Sequence, residues 1–309
     1  MKPFSLVCLL AAAALTPAVA QKADLFTGRW DLVVTPKAAN VKAYPDWMEV
    51  GLKDGAPAVR IQPRSGSAFY AKQFKVEGTH LSLQWDNASI TWDLDVKGGK
   101  LAGVEKRGAS VFGDLAGVRA PLLKRDPPKA WTDAEPIFNG KDLTGWEPTD
   151  PALANHWTVK DGELVNESKG ANLKTTRKFD DFKLHIEFNC PDDGNSGIYL
   201  RGRYEVQVEY EKVDANDKFH SIGSVYSMLA PAVELPRTPG KWESFDITLG
   251  GRWLTVVRNG VKTIDNQEIA GTTGGALDSN EGEPGPFYIQ GDHTGGMKYR
   301  NITIQVPKK

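Results

Sequence analysis

Alternating apolar and polar side chains mark the run from Asn195 to Glu211, which reads NSGIYLRGRYEVQVEYE. From Ile198 on, every second residue except Gly202 is apolar, and the residues between them are mostly charged or polar. A period of two predicts extended backbone with one apolar face and one polar face. Gly202 predicts a bulge or turn, which would reset the register between Arg201 and Glu205.

The polar face of this run holds an unusual set of side chains. It carries two arginines, three glutamates and a glutamine: Arg201, Arg203, Glu205, Gln207, Glu209 and Glu211. Such a row suits a sugar, which offers many hydroxyl groups to hydrogen-bond. The alternative is a solvated strand face with cross-strand ion pairs, in which Glu205 pairs with an arginine.

Short strands separated by turn signals fill residues 21–125. The first is predicted to open at Phe26 and run to Val34, and the later ones are predicted at 45–51, 58–63, 68–74, 80–85, 89–95 and 101–106. Sequential short strands at this spacing predict a small antiparallel β-barrel or meander. No catalytic constellation occurs there, so we interpret this region as an accessory domain.

A charged linker and a second β-rich region complete the chain. Residues 126–135 contain Pro127-Pro128, which favours stiff, extended backbone. The region 136–309 shows almost no helical period, and residues 182–189 alternate strictly between apolar and polar. About a dozen short strands predict two packed sheets, a sandwich or jelly roll. The expected fold class is therefore all-β.

Composition and the first residues narrow the class of protein. The chain has 309 residues and a net charge of −1, with no basic stripe of the kind that binds nucleic acid. Residues 1–20 have the pattern of a signal peptide: Lys2, an apolar run from Leu6 to Leu15 that is too short to span a membrane, and Ala18-Val19-Ala20. We expect cleavage after Ala20 and a periplasmic or secreted protein. Cys190 is then the single cysteine, so no intramolecular disulfide is expected.

Seven sequence blocks of the second region, taken in order, resemble the 3-keto-disaccharide hydrolase family, once known as a domain of unknown function. The resemblance spans residues 136–307 and not 21–130. It implies a concanavalin A-like jelly roll with a sugar site on its concave sheet, and cleavage of glycosides already oxidised to a ketone at C3. The blocks are IFNGKDLTGW at 137–146, FDDFKLHIEF at 179–188, NSGIYLR at 195–201, YEVQV at 204–208, GKWESFDIT at 240–248, VVRNG at 256–260 and YIQGDHTGGMKYRNITI at 288–304.

One departure from the family concerns the loop between two of these blocks. Members often carry an insertion between the NSG-x-x-x-R block and the YEVQ block, whereas here only Gly202-Arg203 separates them. The loop at that end of the cleft is therefore expected to be short, which leaves the size of the substrate open.

The chemistry that the resemblance implies sets requirements on the site. A 3-keto group acidifies the proton on C2, so that a base can remove it and the enolate can expel the group on C1. Addition of water then completes a net hydrolysis. The route needs a base near C2, a cation or donor at the ketone oxygen, and an acid at the leaving oxygen.

Three residues are our candidates for catalysis. Glu205 is the candidate acid/base carboxylate, and Arg201 is the candidate cation near the enolate or anchor for a hydroxyl. His293, which follows an aspartate in a glycine-rich loop, is a candidate acid or base. Structural roles are the alternatives: an ion pair between Glu205 and an arginine, and a histidine that is merely exposed.

Five more residues are candidates for binding the substrate. Gln207 would donate to and accept from sugar hydroxyls, and His220 could reach over the cleft as a lid residue. Glu187 shares a polar face with His185 and would join the site if that face is concave. No dense ligand motif predicts a metal, and a divalent cation stays an open alternative. The substrate-binding set is Asn195, Gln207, Glu187, His220 and Gln290.

Two rival functions remain on the same fold. A conventional jelly-roll β-glucanase would use an E-x-D-x-x-E strand, but here Gln207 replaces the aspartate and Glu209 falls at the wrong spacing. A non-catalytic carbohydrate-binding module would use the same polar groups only as hydrogen-bonding partners. In all three cases the expected partner is a carbohydrate, foremost a 3-keto-glucoside or related disaccharide.

Overall fold

The computed structural model describes residues 25–211 and 217–308, and its regular secondary structure consists of strands. The all-β prediction is therefore confirmed. The expected signal peptide, residues 1–20 with cleavage after Ala20, lies outside the described residues. A search of the described residues finds no helix of the length and hydropathy needed to cross a membrane.

The first region is a nine-stranded antiparallel sheet that curls into a barrel. The strand order is β4-β3-β2-β1-β9-β8-β7-β6-β5. Only Ala71 and Lys72 separate the two end strands, and their amides donate to the carbonyls of Val59 and Gln84 on β3 and β6 at 2.8 and 2.9 Å. This bent segment links the two end strands of the curled sheet, and the prediction of a small antiparallel barrel or meander is confirmed. The strands are β1 (Gly28–Pro36), β2 (Tyr44–Lys53), β3 (Ala56–Gln62), β4 (Phe69–Tyr70), β5 (Gln73–Glu77), β6 (His80–Gln84), β7 (Ile90–Lys97), β8 (Lys100–Arg107) and β9 (Ser110–Arg119).

Alternation along each strand fills the barrel with large apolar side chains. Trp30, Leu32 and Val34 on β1 and Trp92 on β7 are all fully buried. Burial of each such side chain contributes about 1.5–3 kcal/mol relative to exposure. Trp47 on β2 is the exception, because it packs into the apolar core of the second region. The two cores therefore meet at Trp47.

The second region is a sandwich of two sheets. One sheet has the order β12-β13-β22-β15-β18-β19-β20, with β10 paired to β22, and the other has the order β11-β14-β21-β16-β17. The strands are β10 (Glu135–Pro136), β11 (Trp146–Pro148), β12 (Trp157–Lys160), β13 (Glu163–Asn166), β14 (Leu173–Thr175), β15 (Phe182–Asn189), β16 (Asn195–Leu200), β17 (Tyr204–Glu209), β18 (Trp242–Gly250), β19 (Trp253–Arg258), β20 (Val261–Glu268), β21 (Tyr288–Ile289) and β22 (Met297–Gln305).

The sandwich core lies between these two sheets. Phe182, Leu184, Ile186 and Phe188 of β15 are buried there, as the strict alternation at 182–189 predicts. Apolar residues of β16 and β17 cover them from the five-stranded sheet. One face of the five-stranded sheet is thus used for packing, and its other face is free to hold a site.

The run Asn195–Glu211 is a hairpin rather than one strand. Arg201 and Gly202 have φ angles of 51° and 69°, and the amide of Arg203 donates to the carbonyl of Leu200 at 3.0 Å. The positive φ angles reverse the chain at the glycine that marks the break in the sequence pattern. The pairing sets Tyr199 opposite Glu205, so polar residues of both strands share one face.

The barrel is fixed against the sandwich by contacts of β1, of β3 and of the loop between β3 and β4, residues 63–68, which we call the barrel loop. The guanidinium of Arg60 donates to the carbonyl of Ser227 at 2.6 Å, and the amide of Gly275 donates to the carbonyl of Arg64 at 2.8 Å. The ion pair of Arg29 with Glu268, at 2.8 Å, adds a further link. The barrel loop is thereby held at the free face of the five-stranded sheet.

Candidate functional site

A cavity of about 400 Å³ lies between the free face of the five-stranded sheet and the barrel loop. Polar residues of the hairpin form its floor, and Ser65, Gly66 and Ser67 of the barrel loop form one wall. Among the residues that the structure describes, the lining contains five carboxyl groups and two histidines but no lysine or arginine. The carboxyl groups belong to Glu205, Glu209, Glu211, Asp217 and Asp292.

Glu205 lies on β17 in the floor of this cavity, and its residue is only 4% exposed. The bare backbone of Gly197 on the neighbouring strand makes room for it, since a Cβ at Gly197 would stand 2.0 Å from the Oε1 of Glu205. Within the part of the chain that the structure describes, Glu205 pairs with no cation, so the ion pair considered from the sequence is not formed.

The electrostatic surroundings of Glu205 favour its protonated form. Burial, with smaller contributions from the charges of Asp292 and Glu209, raises its pKa to about 8, although a polar contact with Tyr199 opposes the shift. Burial likewise raises the pKa of Glu209 to about 7, and the hydrogen bond from Gln207 opposes that shift. Both carboxyl groups are therefore poised to exchange protons near neutral pH.

Two amide side chains of the lining offer unpaired acceptors. The Nε2 of Gln207 donates to the Oε2 of Glu209 at 2.9 Å, whereas its Oε1 is buried without a partner in the structure. The Oε1 of Gln290 is buried without a partner as well. Asn195 lies opposite Glu209 in the hairpin and also lines the cavity. A buried acceptor that lacks a donor is unfavourable, so these oxygens suit the hydroxyl groups of a ligand.

His293 lies at the rim of the cavity, beside Asp292. Its Nδ1 lies 2.9 Å from the Oδ1 of Asp292, and its side chain is 45% exposed. The hydrogen bond to Asp292 raises the pKa of His293 despite partial burial. Burial alone would raise the pKa of Asp292, but the hydrogen bond and charge of His293 hold that pKa below its usual value. The pair thus favours the protonated form of His293 beside the carboxyl groups of the lining.

His220 stands in a row of three hydrogen-bonding groups at the barrel wall. Its Nε2 lies 2.6 Å from the Oγ of Ser67, and its Nδ1 lies 2.5 Å from the Oδ2 of Asp217. The imidazole also meets the ring of Tyr226 edge-on at 4.6 Å. Sequence reasoning named His220 but missed its partners. The D-x-x-H spacing could have pointed to Asp217, whereas no local signal points to Ser67.

The structure places Arg201 outside the cavity, which corrects its expected position. The turn buries the Arg201 side chain completely, at 0% exposure. There its guanidinium donates to the carbonyl of Gly251 at 2.8 Å, to the hydroxyl of Tyr204 at 3.1 Å and to Asp180 at 3.2 Å. The reversal of the chain at this residue directs the side chain away from the face that carries Glu205.

Glu187 is also outside the cavity, because β15 belongs to the other sheet. Its carboxylate accepts from the Nε of Arg300 at 2.6 Å and from Asn301 at 2.8 Å. The neighbouring His185 pairs with Asp246 at 2.7 Å. The polar face of β15 is therefore part of the outer surface of the eight-stranded sheet. Among residues 25–211 and 217–308, no group of three or more histidine, cysteine or acidic side chains has an arrangement that could hold a metal ion.

Comparison with known proteins finds relatives of the sandwich region. A family model for the 3-keto-alpha-glucoside-1,2-lyase-like domain matches residues 133–305. A 3-keto-disaccharide hydrolase from Bacteroides thetaiotaomicron is 28% identical over 96 residues, which are 28% of this chain and 32% of that protein. The chain thus matches about a third of the length of that relative.

The chain is also similar to solved structures. The crystal structure of a candidate glycosyl hydrolase from Parabacteroides distasonis is 30% identical, with a TM-score of 0.47, and the match covers 60% of this chain and 94% of that one. A carbohydrate binding module from Bacillus subtilis is 15% identical, with a TM-score of 0.34, and the match covers 52% of this chain and 96% of that one. The family match begins at residue 133, so the barrel loop lies outside it.

Proposed function

The chain belongs to the 3-keto-alpha-glucoside-1,2-lyase-like family, and we propose that it cleaves 3-keto-glycosides by abstraction of the C2 proton, β-elimination and hydration. One observation carries the proposal: Glu205 is a buried carboxyl group with a raised pKa, in the floor of a polar cavity, and no described residue pairs with it as a cation. The pattern of residues 1–20 supports export as part of the same proposal.

Glu205 is the base in this reaction and acts in its ionised form. A carboxylate whose pKa is raised to about 8 binds a proton more strongly than an ordinary glutamate, which suits removal of a proton from carbon. The proton on C2 passes to Glu205, and the electrons of the C–H bond form an enolate on the 3-keto group. When the ketone re-forms, the bond from C1 to the leaving oxygen breaks and a double bond forms between C1 and C2. Water then adds across that double bond.

His293 takes over the role that sequence reasoning gave to Arg201. The negative charge of the enolate develops on the ketone oxygen, and a cation or donor near that atom lowers the barrier. His293 is the cationic candidate, because Asp292 raises its pKa. The unpaired oxygens of Gln207 and Gln290 would accept from hydroxyl groups of the sugar and so fix its ring over Glu205.

The test compares a disaccharide with its 3-keto form, with products followed by mass and by ultraviolet absorbance. We expect turnover of the keto form alone and an absorbing, dehydrated intermediate. Glu205→Gln should lower kcat by about 10²–10⁴-fold, the usual contribution of a positioned base. Glu163→Gln is the matched control, because Glu163 lies on β13 of the other sheet and pairs with Lys298 at 3.1 Å.

Three outcomes would count against the proposal. Full turnover by Glu205→Gln would show that Glu205 is not the base. Cleavage of the plain disaccharide would favour a conventional glycosidase. Sugar binding without turnover of either compound would favour the carbohydrate-binding module.

A further inference from the structure

The barrel supplies a hydroxyl group to the cavity of the sandwich. Ser67 of the barrel loop lines the cavity, and its Oγ lies 2.6 Å from the Nε2 of His220. The Nδ1 of His220 lies 2.5 Å from the carboxylate of Asp217. A hydroxyl, an imidazole and a carboxylate thus stand in one hydrogen-bonded row that crosses the boundary between the two regions. Such a row is the arrangement by which a carboxylate orients a histidine and the histidine exchanges a proton with a hydroxyl.

Independent contacts hold Ser67 in this position. The amide of the next residue, Ala68, donates to the Oγ of Ser227 at 2.8 Å. The carbonyl of Arg64 accepts from the amide of Gly275 at 2.8 Å. The loop approaches the sandwich so closely that a Cβ at Gly274 would stand 2.4 Å from the carbonyl oxygen of Gly66. The barrel loop is therefore docked on both sides of Ser67, which is what positioning of a reactive group requires.

The same row defines where a proton can move. The carboxylate of Asp217 accepts from the Nδ1–H of His220, so the Nε2 is the atom that exchanges a proton with Ser67. The Nε2 of His220 is hydrogen-bonded to the Oγ of Ser67, and the barrel presents Ser67 to the cavity. The imidazole packs edge-on against the ring of Tyr226, whose backbone amide donates to the carbonyl of Glu205 at 3.0 Å. The row therefore runs beside the strand that carries the base.

We propose that Ser67, His220 and Asp217 form a relay that delivers a proton to the leaving oxygen, so that the barrel completes the active site. This rests on the proposed function, in which Glu205 takes the C2 proton. As the bond between C1 and the leaving oxygen breaks, its electron pair goes to that oxygen, which takes the hydroxyl proton of Ser67. Ser67 takes the Nε2 proton of His220 in its place. His220 enters this step as the imidazolium ion and leaves it as the neutral imidazole, with its Nδ1–H still donated to Asp217. The substrate loses one proton to Glu205 at C2 and gains one from the relay at the leaving oxygen. Hydration restores both groups, because C2 takes the proton of Glu205 while the water that adds to C1 returns a proton to His220 through Ser67.

Leaving groups of different acidity test the relay. A methyl 3-keto-glucoside expels methoxide, which needs a proton, whereas a 4-nitrophenyl 3-keto-glucoside expels a stable phenolate, which does not. We expect Ser67→Ala and His220→Gln to lower kcat for the methyl compound by about 10²-fold or more and for the nitrophenyl compound by less than about 3-fold. Ser67→Thr, which keeps the hydroxyl group, should restore part of the activity on the methyl compound.

The outcomes separate the relay from the proposed function. Equal slowing of both substrates by Ser67→Ala would assign Ser67 a structural role and overturn the relay. An unchanged rate for both substrates would also overturn it. If the wild-type protein cleaves neither compound, the proposed function fails, whatever the variants do. Circular dichroism and thermal unfolding of each variant show whether the fold is kept.

Discussion

Replacement of Glu205 by glutamine should change how the stability of the protein depends on pH. Burial, together with the charges of Asp292 and Glu209, raises the pKa of Glu205 from 4.5 to about 8. Glutamine has nearly the same shape, keeps hydrogen-bonding groups and carries no titratable proton. The variant therefore removes the titration and leaves the packing nearly unchanged.

The direction of the effect follows from proton binding in the two states. Between pH 4.5 and about 8 the folded protein holds a proton on Glu205 that the unfolded chain has released. The folded state binds more protons in this range, so the free energy of unfolding falls as the pH rises. Below pH 4.5 both states are protonated, and Glu205 contributes no pH dependence.

The magnitude comes from the size of the shift. Each pKa unit corresponds to about 1.4 kcal/mol, so Glu205 alone should lower the free energy of unfolding by about 1.4 kcal/mol per pH unit inside the range. Over the full shift from 4.5 to about 8, the loss reaches at most about 5 kcal/mol. Glu205→Gln should lack this loss and should be more stable than the wild type at pH 8.

Urea unfolding at pH 5, 6, 7 and 8, followed by tryptophan fluorescence, measures these free energies. Glu187→Gln is the control, because Arg300 and Asn301 lower the pKa of Glu187 against the effect of burial, and its titration lies below this range. We expect the wild type and Glu187→Gln to share one pH slope and Glu205→Gln to have a shallower one. Identical slopes for all three proteins would refute the assignment of a raised pKa to Glu205.

Two further predictions concern the glycine beside Glu205 and the single described cysteine. Gly197→Ala should lower kcat/KM by more than about 10-fold, because its Cβ would stand 2.0 Å from the Oε1 of Glu205. Gly51→Ala is the control and should have no effect, since a Cβ there would meet nothing within 4 Å. Equal kinetics of the two variants would contradict this prediction. Cys190 is 1% exposed and burial raises its pKa to about 12, so a thiol reagent should label it only after unfolding, and rapid labelling of the folded protein would disprove its burial.

The local pattern of the sequence determined the strands and part of the site. Strict alternation at 182–189 predicted a strand with one buried face, and β15 buries the apolar residues of this run. Gly202 marked the break in the run Asn195–Glu211, because a glycine adopts positive φ without strain, and the hairpin turns there. The odd positions of that run were expected on one polar face, and Glu205 and Gln207 line the cavity together.

Tertiary structure decided which polar residues share the site. A period of two tells which residues of one strand share a face, but it does not tell which sheet the strand joins or what lies across from that face. For this reason Glu187 falls on the outer surface of the other sheet. The reversal at Arg201 removes that side chain from a face to which a straight strand would have assigned it. Ser67 meets His220 across 153 positions of sequence, a contact that only the docking of barrel and sandwich creates.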